Sequence, residues 1–197
     1  MNLQAKQMAE YFKENSSYKR LLKCIKNKYI TFGEIKGNVI INNPDTKEKE
    51  KLSGLMKKDY SKNKSITINL KSLQEIIDNS RFSGASLKEI LIEYFNEEII
   101  TKKESKIEYE VEIAHFFDEI LSQNVETKVY KYIEEIIKNK DDIYYNLKKQ
   151  YNKDRLQLKK ALINACNGIN NLPKEKMRIP IFASNITGNP HEFDKIH

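Results

Sequence analysis

Residues that could support catalysis are scattered along this chain rather than grouped in a motif. The three histidines have no second histidine or cysteine three or four positions away, the offset at which a helix brings two metal ligands together. The clearest acidic pairs are adjacent doublets, which point in different directions on a helix and are typical of solvated faces. The histidines are His115, His191 and His197, and the doublets are Glu97-Glu98, Glu134-Glu135 and Asp141-Asp142.

Motifs of phosphate-binding and hydrolytic enzymes are missing as well. No Asp-x-Asp pair follows a hydrophobic strand, as a magnesium-dependent nuclease of the Toprim type requires. Only six glycines occur, and none forms a Walker-type loop. Ser53-Gly54 and Ser83-Gly84 lack the Gly-x-Ser-x-Gly context of a hydrolase nucleophile. The sequence therefore predicts no catalytic residues, no metal ligands and no cofactor in this chain.

Both internal histidines have simpler interpretations. His115 lies between Ala114 and Phe116 on a predicted helix, which favours a partly buried structural role. His191 follows Gly188-Asn189-Pro190 and is expected to stabilise that turn through a hydrogen bond.

A lysine-rich loop between a predicted helix and a predicted strand is the best candidate for contact with nucleic acid. It contains four lysines against Asp59, with Tyr60 among them. Each lysine that neutralised a phosphate would release about one counterion and make binding depend on salt. A solvated connection is the alternative interpretation of the loop. With one arginine from a later turn, the candidate DNA-binding residues are Lys57, Lys58, Lys62, Lys64 and Arg81.

The overall charge is +7, with a pI near 9.1. This favours a polyanionic partner, although Lys-rich, Asn-rich and Ile-rich chains can also be basic because of genomic base composition. Lysine dominates the exposed positions, whereas Arg81 and Arg178 stand in structured contexts. Because lysine supplies charge without direction, we expect contacts with the nucleic-acid backbone rather than sequence readout.

Composition is that of a soluble protein, 39% hydrophobic and 32% charged. The apolar runs are far shorter than the roughly 20 residues that span a bilayer, and no signal peptide is visible at the N-terminus. Cys24 and Cys166 are too few for a disulfide framework and are expected to be reduced core thiols. We therefore expect a cytoplasmic protein without membrane contact.

The elements that would position these residues indicate an α+β fold that is predominantly α. Residues 30–95 predict a strand at 38–42, a helix opened by Asn43-Pro-Asp-Thr46, and an alternating strand at 65–70. Ser72 with Glu75, and Ser86 with Glu89, have the spacing of capping boxes for two further helices.

The second half predicts a helical bundle, because four apolar stripes recur at helical spacing. Pro180 and Pro190 predict an extended segment after the bundle. The predicted domains are therefore a mixed lobe at 1–98, a helical lobe at 107–173 and an extended tail at 174–197. The stripes are Ile113-Phe116-Phe117-Ile120-Leu121, Val129-Tyr132-Ile133-Ile136-Ile137, Tyr144-Leu147-Tyr151 and Leu158-Ala161-Leu162-Ala165-Ile169.

Six segments resemble the JetD-like subunit of Wadjet systems, bacterial SMC-type complexes that restrict plasmids. The likeness covers nearly the whole chain, loosely through 100–170 and most specifically at the two ends. The segments are Phe12-Lys-Glu-Asn-Ser-Ser-Tyr-Lys-Arg-Leu-Leu22, Gly37-Asn-Val-Ile-Ile41, Leu52-Ser-Gly-Leu55, Ser65-Ile-Thr-Ile-Asn-Leu70, Ser80-Arg-Phe-Ser-Gly84 and Pro180-Ile-Phe-Ala-Ser-Asn-Ile-Thr-Gly-Asn-Pro-His191.

This resemblance implies more than the residues show by themselves. JetD-like proteins join an N-terminal DNA-associated region to a C-terminal Toprim nuclease domain, which carries the acidic ligands for Mg or Mn. The sequence ends where that domain would begin, so no catalytic residue of the family can be assigned to it. It would be either a fragment of a longer nuclease or a naturally short relative without cleavage activity.

Two functions follow as expectations. In the first, the chain is the non-catalytic region that positions duplex plasmid DNA and partner subunits of the anti-plasmid complex for cleavage elsewhere. In the second, it is a protein-interaction module of an SMC-type complex without DNA contact. The expected partners are duplex DNA, the other subunits of the complex and, as an alternative, a second copy in a homodimer.

Overall fold

A computed structural model describes residues 2–123 and 127–195 of the chain. Within these residues lie ten α-helices and one two-stranded antiparallel sheet, which confirms the predicted α+β class with a predominance of helix. Contacts divide the chain into two compact units, Met1–Glu108 (unit 1) and Tyr109–His197 (unit 2).

Unit 1 contains both strands and five helices. A short 3-10 turn, Ser16–Tyr18, precedes the second helix. The elements are α1 (Leu3–Lys13), α2 (Lys19–Phe32), β1 (Asn38–Asn42), α3 (Thr46–Met56), β2 (Ser65–Asn69), α4 (Leu70–Asp78) and α5 (Leu87–Phe95).

The two strands form an antiparallel ribbon whose faces differ in polarity. Val39 pairs with Ile68 and Ile41 with Ile66, and all four side chains are buried. Successive residues of a strand point to opposite faces, so these four residues share one side, while Ile40 and the polar residues of both strands lie on the other. The buried side joins α1, α2, α3, α4 and α5 in a single hydrophobic core.

Helix starts in unit 1 follow side-chain capping. The predicted box at Ser86 and Glu89 is confirmed at the start of α5. The predicted box at Ser72 and Glu75 is wrong, because α4 begins earlier, at Leu70, and Asn69 accepts from the Ser72 backbone N–H at 3.0 Å. Asparagine is among the best N-cap residues, so it starts the helix before Ser72 can.

Helix α3 has a capping box that the sequence analysis did not identify. Asp45 accepts from the Glu48 backbone N–H at 2.7 Å, and Glu48 accepts from the Asp45 N–H at 3.0 Å. This fixes the start of the helix that leads into the lysine-rich loop.

The regular elements in the described residues of unit 2 are all helices. Helix α6 begins in unit 1 and continues into unit 2. The elements are α6 (Lys102–Ser122), α7 (Lys128–Asn139), α8 (Asp142–Lys153), α9 (Arg155–Asn170), α10 (Ile179–Thr187) and a 3-10 turn (Glu192–Lys195).

Predicted stripes of unit 2 supply most of its core, with exceptions. The α6 stripe is fully buried, and Val129, Ile133 and Ile136 of α7 belong to the same hydrophobic core. Tyr132, by contrast, is 55% exposed, so its assignment to the core was wrong. The predicted α9 stripe is also only partly buried. Leu158 is buried, whereas Ala161, Ala165 and Ile169 are exposed.

The prediction of an extended tail is wrong over residues 179–187, which form helix α10. Pro180 lies in the first turn, where its missing N–H has no helical partner to lose and its fixed φ suits the helix. Ala183 is buried, and Phe182 meets Phe193 with ring centroids 5.9 Å apart. The proline therefore starts this helix instead of preventing it.

Candidate nucleic-acid interface

Positive charge is concentrated in unit 1. Its sequence has 21 lysines and arginines against 15 aspartates and glutamates, a net charge of +6. Unit 2 has 14 against 13, a net charge of +1. A partner attracted by charge would therefore be drawn to unit 1.

The lysine-rich loop of unit 1 is anchored by Tyr60. This side chain is only 8% exposed, and burial raises its pKa. Its backbone N–H donates to Ser53 Oγ at 3.0 Å, which ties the loop to α3. Tyr60 is therefore part of the core and cannot act as a platform for stacking bases.

Hydrogen bonds to backbone groups hold the rest of the loop. The Lys58 N–H donates to the Ser53 carbonyl at 3.2 Å, and the Lys49 ammonium donates to the Ser61 carbonyl at 3.1 Å. Asp59 accepts from the Ser61 N–H at 2.8 Å, which lowers the pKa of the Asp59 carboxyl. The loop thus presents lysines from a fixed backbone, and Lys57, Lys58, Lys62 and Lys64 are all exposed.

The four lysines have different surroundings. Lys57 and Lys58 border a cavity of about 400 Å³ beside Asn79 and Ser80 at the end of α4. Lys64 immediately precedes β2, where its carbonyl accepts from the Asn43 N–H at 2.9 Å. Lys62 lies two residues earlier in the chain.

Arg81 lies in the turn between α4 and α5 and is exposed. Its guanidinium lies 4.7 Å from the centroid of the Phe82 ring, and it borders a cavity of about 260 Å³ together with Glu10 and Glu14. Phe82 also lines a cavity of about 590 Å³ that Lys57 borders. Carboxylates stand beside Arg81, so its surroundings are of mixed charge.

Sequence reasoning missed the basic residues of α2. The segment Lys19–Phe32 holds five basic residues and no acidic one, a signal visible in the sequence. Arg20 Nη2 donates to the Asn42 carbonyl at 2.6 Å, and Lys28 Nζ donates to the Asn38 carbonyl at 3.1 Å. Helix α2 therefore places cations beside β1.

Two histidines and two cysteines remain in the described parts of the chain, and their surroundings indicate structural roles. His115 is exposed, so the predicted partial burial is wrong. His191 Nδ1 lies 2.7 Å from Asp194 Oδ2, a contact within the expected turn. Cys24 is half-buried and Cys166 is buried; both are free thiols, and burial raises the pKa of Cys166.

Residues 2–123 and 127–195 contain neither a candidate metal cluster nor a membrane-spanning helix. No group of three or more His, Cys, Asp or Glu side chains there could hold a metal ion. No helix in these ranges is long and apolar enough to cross a bilayer. His197 lies outside the described residues.

Comparison with known proteins places the chain in a family. A family model described as "Protein of unknown function N-terminus (DUF3323)" matches residues 35–197, more than half of the chain. Its match takes in the ribbon, the lysine-rich loop and all of unit 2. No curated protein and no solved structure matches the chain. The chain therefore belongs to the family described as Protein of unknown function N-terminus (DUF3323).

Proposed function

We propose that this chain is the non-catalytic N-terminal region of a JetD-like nuclease subunit in a bacterial anti-plasmid complex. Unit 1 holds duplex DNA, and the chain helps to place a Toprim domain that performs the cleavage. The description of the family as a protein N-terminus supports this proposal, as does the resemblance of the six sequence segments.

The observation that carries the DNA contact is the charge of +6 on unit 1, together with four exposed lysines on a backbone that is already ordered. An ordered loop loses little conformational entropy when it meets phosphates. The lysines supply charge without a fixed fork of donors, which suits the sequence-independent backbone of DNA. Divalent-metal chemistry belongs to the Toprim domain in this proposal.

Salt dependence of DNA binding tests the proposal. The wild-type chain should bind a 20-base-pair duplex at low salt, and affinity should fall as salt rises. Reversal of the loop charges (Lys57→Glu, Lys58→Glu, Lys62→Glu and Lys64→Glu) should weaken binding and reduce the slope of log K against log salt by up to about 3–4, since each phosphate contact contributes about 0.9.

A matched control reverses four exposed lysines of unit 2: Lys131→Glu, Lys149→Glu, Lys174→Glu and Lys176→Glu. It changes the net charge equally and should retain most of the slope. If the wild-type chain does not bind duplex DNA at about 50 mM salt, the proposal is wrong. If both variants lost DNA affinity equally, the loop lysines would have no specific role in binding.

A second candidate is a protein-interaction module, favoured by exposed aliphatic residues at the start of α10. Met177 is 45%, Ile179 62% and Ile181 52% exposed. Such residues are typical of interface cores. Deleting residues 178–197 would also remove buried Ala183, so substitution of exposed residues is the cleaner test.

The sharper experiment changes Ile179→Asp together with Ile181→Asp. This variant should lose assembly with the SMC-type subunits of the same system, measured by co-purification, and should keep its DNA affinity. Leu156→Asp, at a position 79% exposed on α9, is the control. Normal assembly of the double variant would exclude this surface as the contact with those subunits.

A further inference from the structure

The face of the β1–β2 ribbon that points away from the core is almost entirely uncharged and polar. Asn69 Nδ2 donates to Asn38 Oδ1 at 2.9 Å across the strands. Its single apolar member, Ile40, is 56% exposed and pairs with Thr67. The residues of this face, called the ribbon face, are Asn38, Ile40, Asn42, Ser65, Thr67 and Asn69.

Cations of α2 lie along the outer edge of β1. The backbone bonds from Asn43 to Lys64 and from Leu70 to Gly37 fix which alternate residues face β2. Asn38 and Asn42 belong to the other set, whose carbonyls point away from β2. Lys28 and Arg20 reach those two carbonyls, so both cations lie at the outer edge of the ribbon.

Further cations stand at the ends of the ribbon. Lys64 precedes β2, next to the last residue of β1, and Lys36 lies two residues before β1. Lys36 pairs with Glu34 at 2.8 Å, and Arg20 pairs with Glu48 at 2.8 Å. Those carboxylates are thus already neutralised beside the ribbon.

Free positive charge remains on α2. Arg20 and Lys26 pair with Glu48 and Glu97. Within the described residues, Lys19, Lys23 and Lys28 have no carboxylate partner. The uncharged hydrogen-bonding groups of the ribbon face thus lie beside Lys28, a cation of α2 without a carboxylate partner, and this combination is complementary to a polyanion.

The dimensions and chemistry of the ribbon face fit the major groove of duplex DNA. Two strands lie about 5 Å apart and five residues extend about 17 Å. The major groove is about 12 Å wide and admits a two-stranded ribbon. The Asn42 amide can both donate and accept, as base edges do, and an apolar side chain such as Ile40 can contact a thymine methyl group.

A protein partner fits this face less well. The centres of protein interfaces are rich in aromatic and large apolar residues. Five of the six residues of the ribbon face are Asn, Ser or Thr. Phosphates with their high charge density match the flanking lysines better.

We propose that the ribbon face docks in the major groove of duplex DNA, with Lys28 and Lys64 against the flanking phosphates. This inference rests on the proposed function that unit 1 holds duplex DNA. It adds the face that makes the contact and the groove that receives it.

The test uses the whole chain and a 20-base-pair duplex, followed by fluorescence anisotropy at fixed salt. Ser65→Glu with Thr67→Glu should weaken binding about tenfold or more, because two carboxylates would meet base edges and phosphates. The control, Asn146→Glu with Gln150→Glu on exposed positions of α8, should change affinity less than about twofold. Circular dichroism checks that both variants fold.

A second variant covers the case in which the double change disturbs the ribbon. Thr67→Lys keeps an exposed strand position and adds a cation, so it should tighten binding several-fold with a steeper salt slope. Methyl green, which occupies the major groove, should displace the protein, whereas netropsin in the minor groove should not.

The outcomes separate the inference from the proposed function. Wild-type binding with unchanged affinity in the Ser65→Glu/Thr67→Glu and Thr67→Lys variants would overturn the ribbon face alone. Displacement by netropsin but not by methyl green would overturn the choice of groove. Absence of wild-type binding would instead count against the proposed function.

Discussion

Lys148 of α8 donates to Glu110 of α6 with Nζ and Oε1 2.7 Å apart, and the same ammonium lies over the rings of Tyr109 and Tyr144. Burial by itself would lower the pKa of Lys148, but the hydrogen bond to Glu110 and the neighbouring charges outweigh it and raise the pKa. Lys148 therefore joins two helices of unit 2 as a charged residue.

Removal of this contact should destabilise unit 2. Lys148→Ala loses the ion pair and the packing over two rings, and we expect a decrease of about 1–2 kcal/mol in the free energy of unfolding. The loss stays below the 3–5 kcal/mol of a fully buried pair because the Glu110 side chain is 37% exposed. Urea denaturation measures this change in the free energy of unfolding, and the substitution Lys149→Ala at an exposed position is the control. Equal effects of the two substitutions would contradict the prediction.

Acid should weaken unit 1 through Glu89. Hydrogen bonds from the Ser86 hydroxyl and backbone N–H lower the pKa of this carboxyl. A pKa lowered by folding contributes stability above the unfolded value of about 4.3, and this contribution is lost as the pH falls through the folded value.

Glu89→Gln keeps the capping geometry but cannot titrate. Its free energy of unfolding should therefore depend less on pH between about 5 and 2 than that of the wild type. Glu98→Gln, the same substitution at an exposed position, is the control. Parallel pH profiles for wild type and Glu89→Gln would refute the role of Glu89.

Tyr60 should control the order of the lysine-rich loop. Tyr60→Ala removes a buried ring, so we expect a loss of about 2–4 kcal/mol in stability together with weaker DNA binding. Tyr60→Phe keeps the ring and should cost less than about 1 kcal/mol. Thermal denaturation and anisotropy provide the two measurements. A Tyr60→Ala variant as stable as Tyr60→Phe would show that the ring does not anchor the loop.

Two helical glycines should respond differently to alanine. A Cβ at Gly54 of α3 would meet no atom within 4 Å, so Gly54→Ala should raise stability by about 0.5–1 kcal/mol through helix propensity. At Gly168 of α9 a Cβ would lie 3.3 Å from Phe193 Cζ. Gly168→Ala should therefore gain less than Gly54→Ala in chemical denaturation. An equal or larger gain at Gly168 would contradict this contact.

Local patterns determined the elements that depend on near neighbours. The β-branched run Val39-Ile40-Ile41 predicted β1, and Ser86 with Glu89 predicted the start of α5. The same local reasoning failed at Ser72, because Asn69 competes for the same helix start, and at Pro180, because a proline is compatible with the first turn of a helix.

The geometry of the candidate interface could not be predicted from the sequence, because it depends on contacts between residues that are distant along the chain. The sequence alone determined a basic, mainly helical chain with four exposed lysines in one loop. Only the tertiary structure buried Tyr60 and exposed Tyr132. It also brought Arg20 and Lys28 to the carbonyls of β1, because strand pairing and the packing of α2 depend on long-range contacts that no local pattern records.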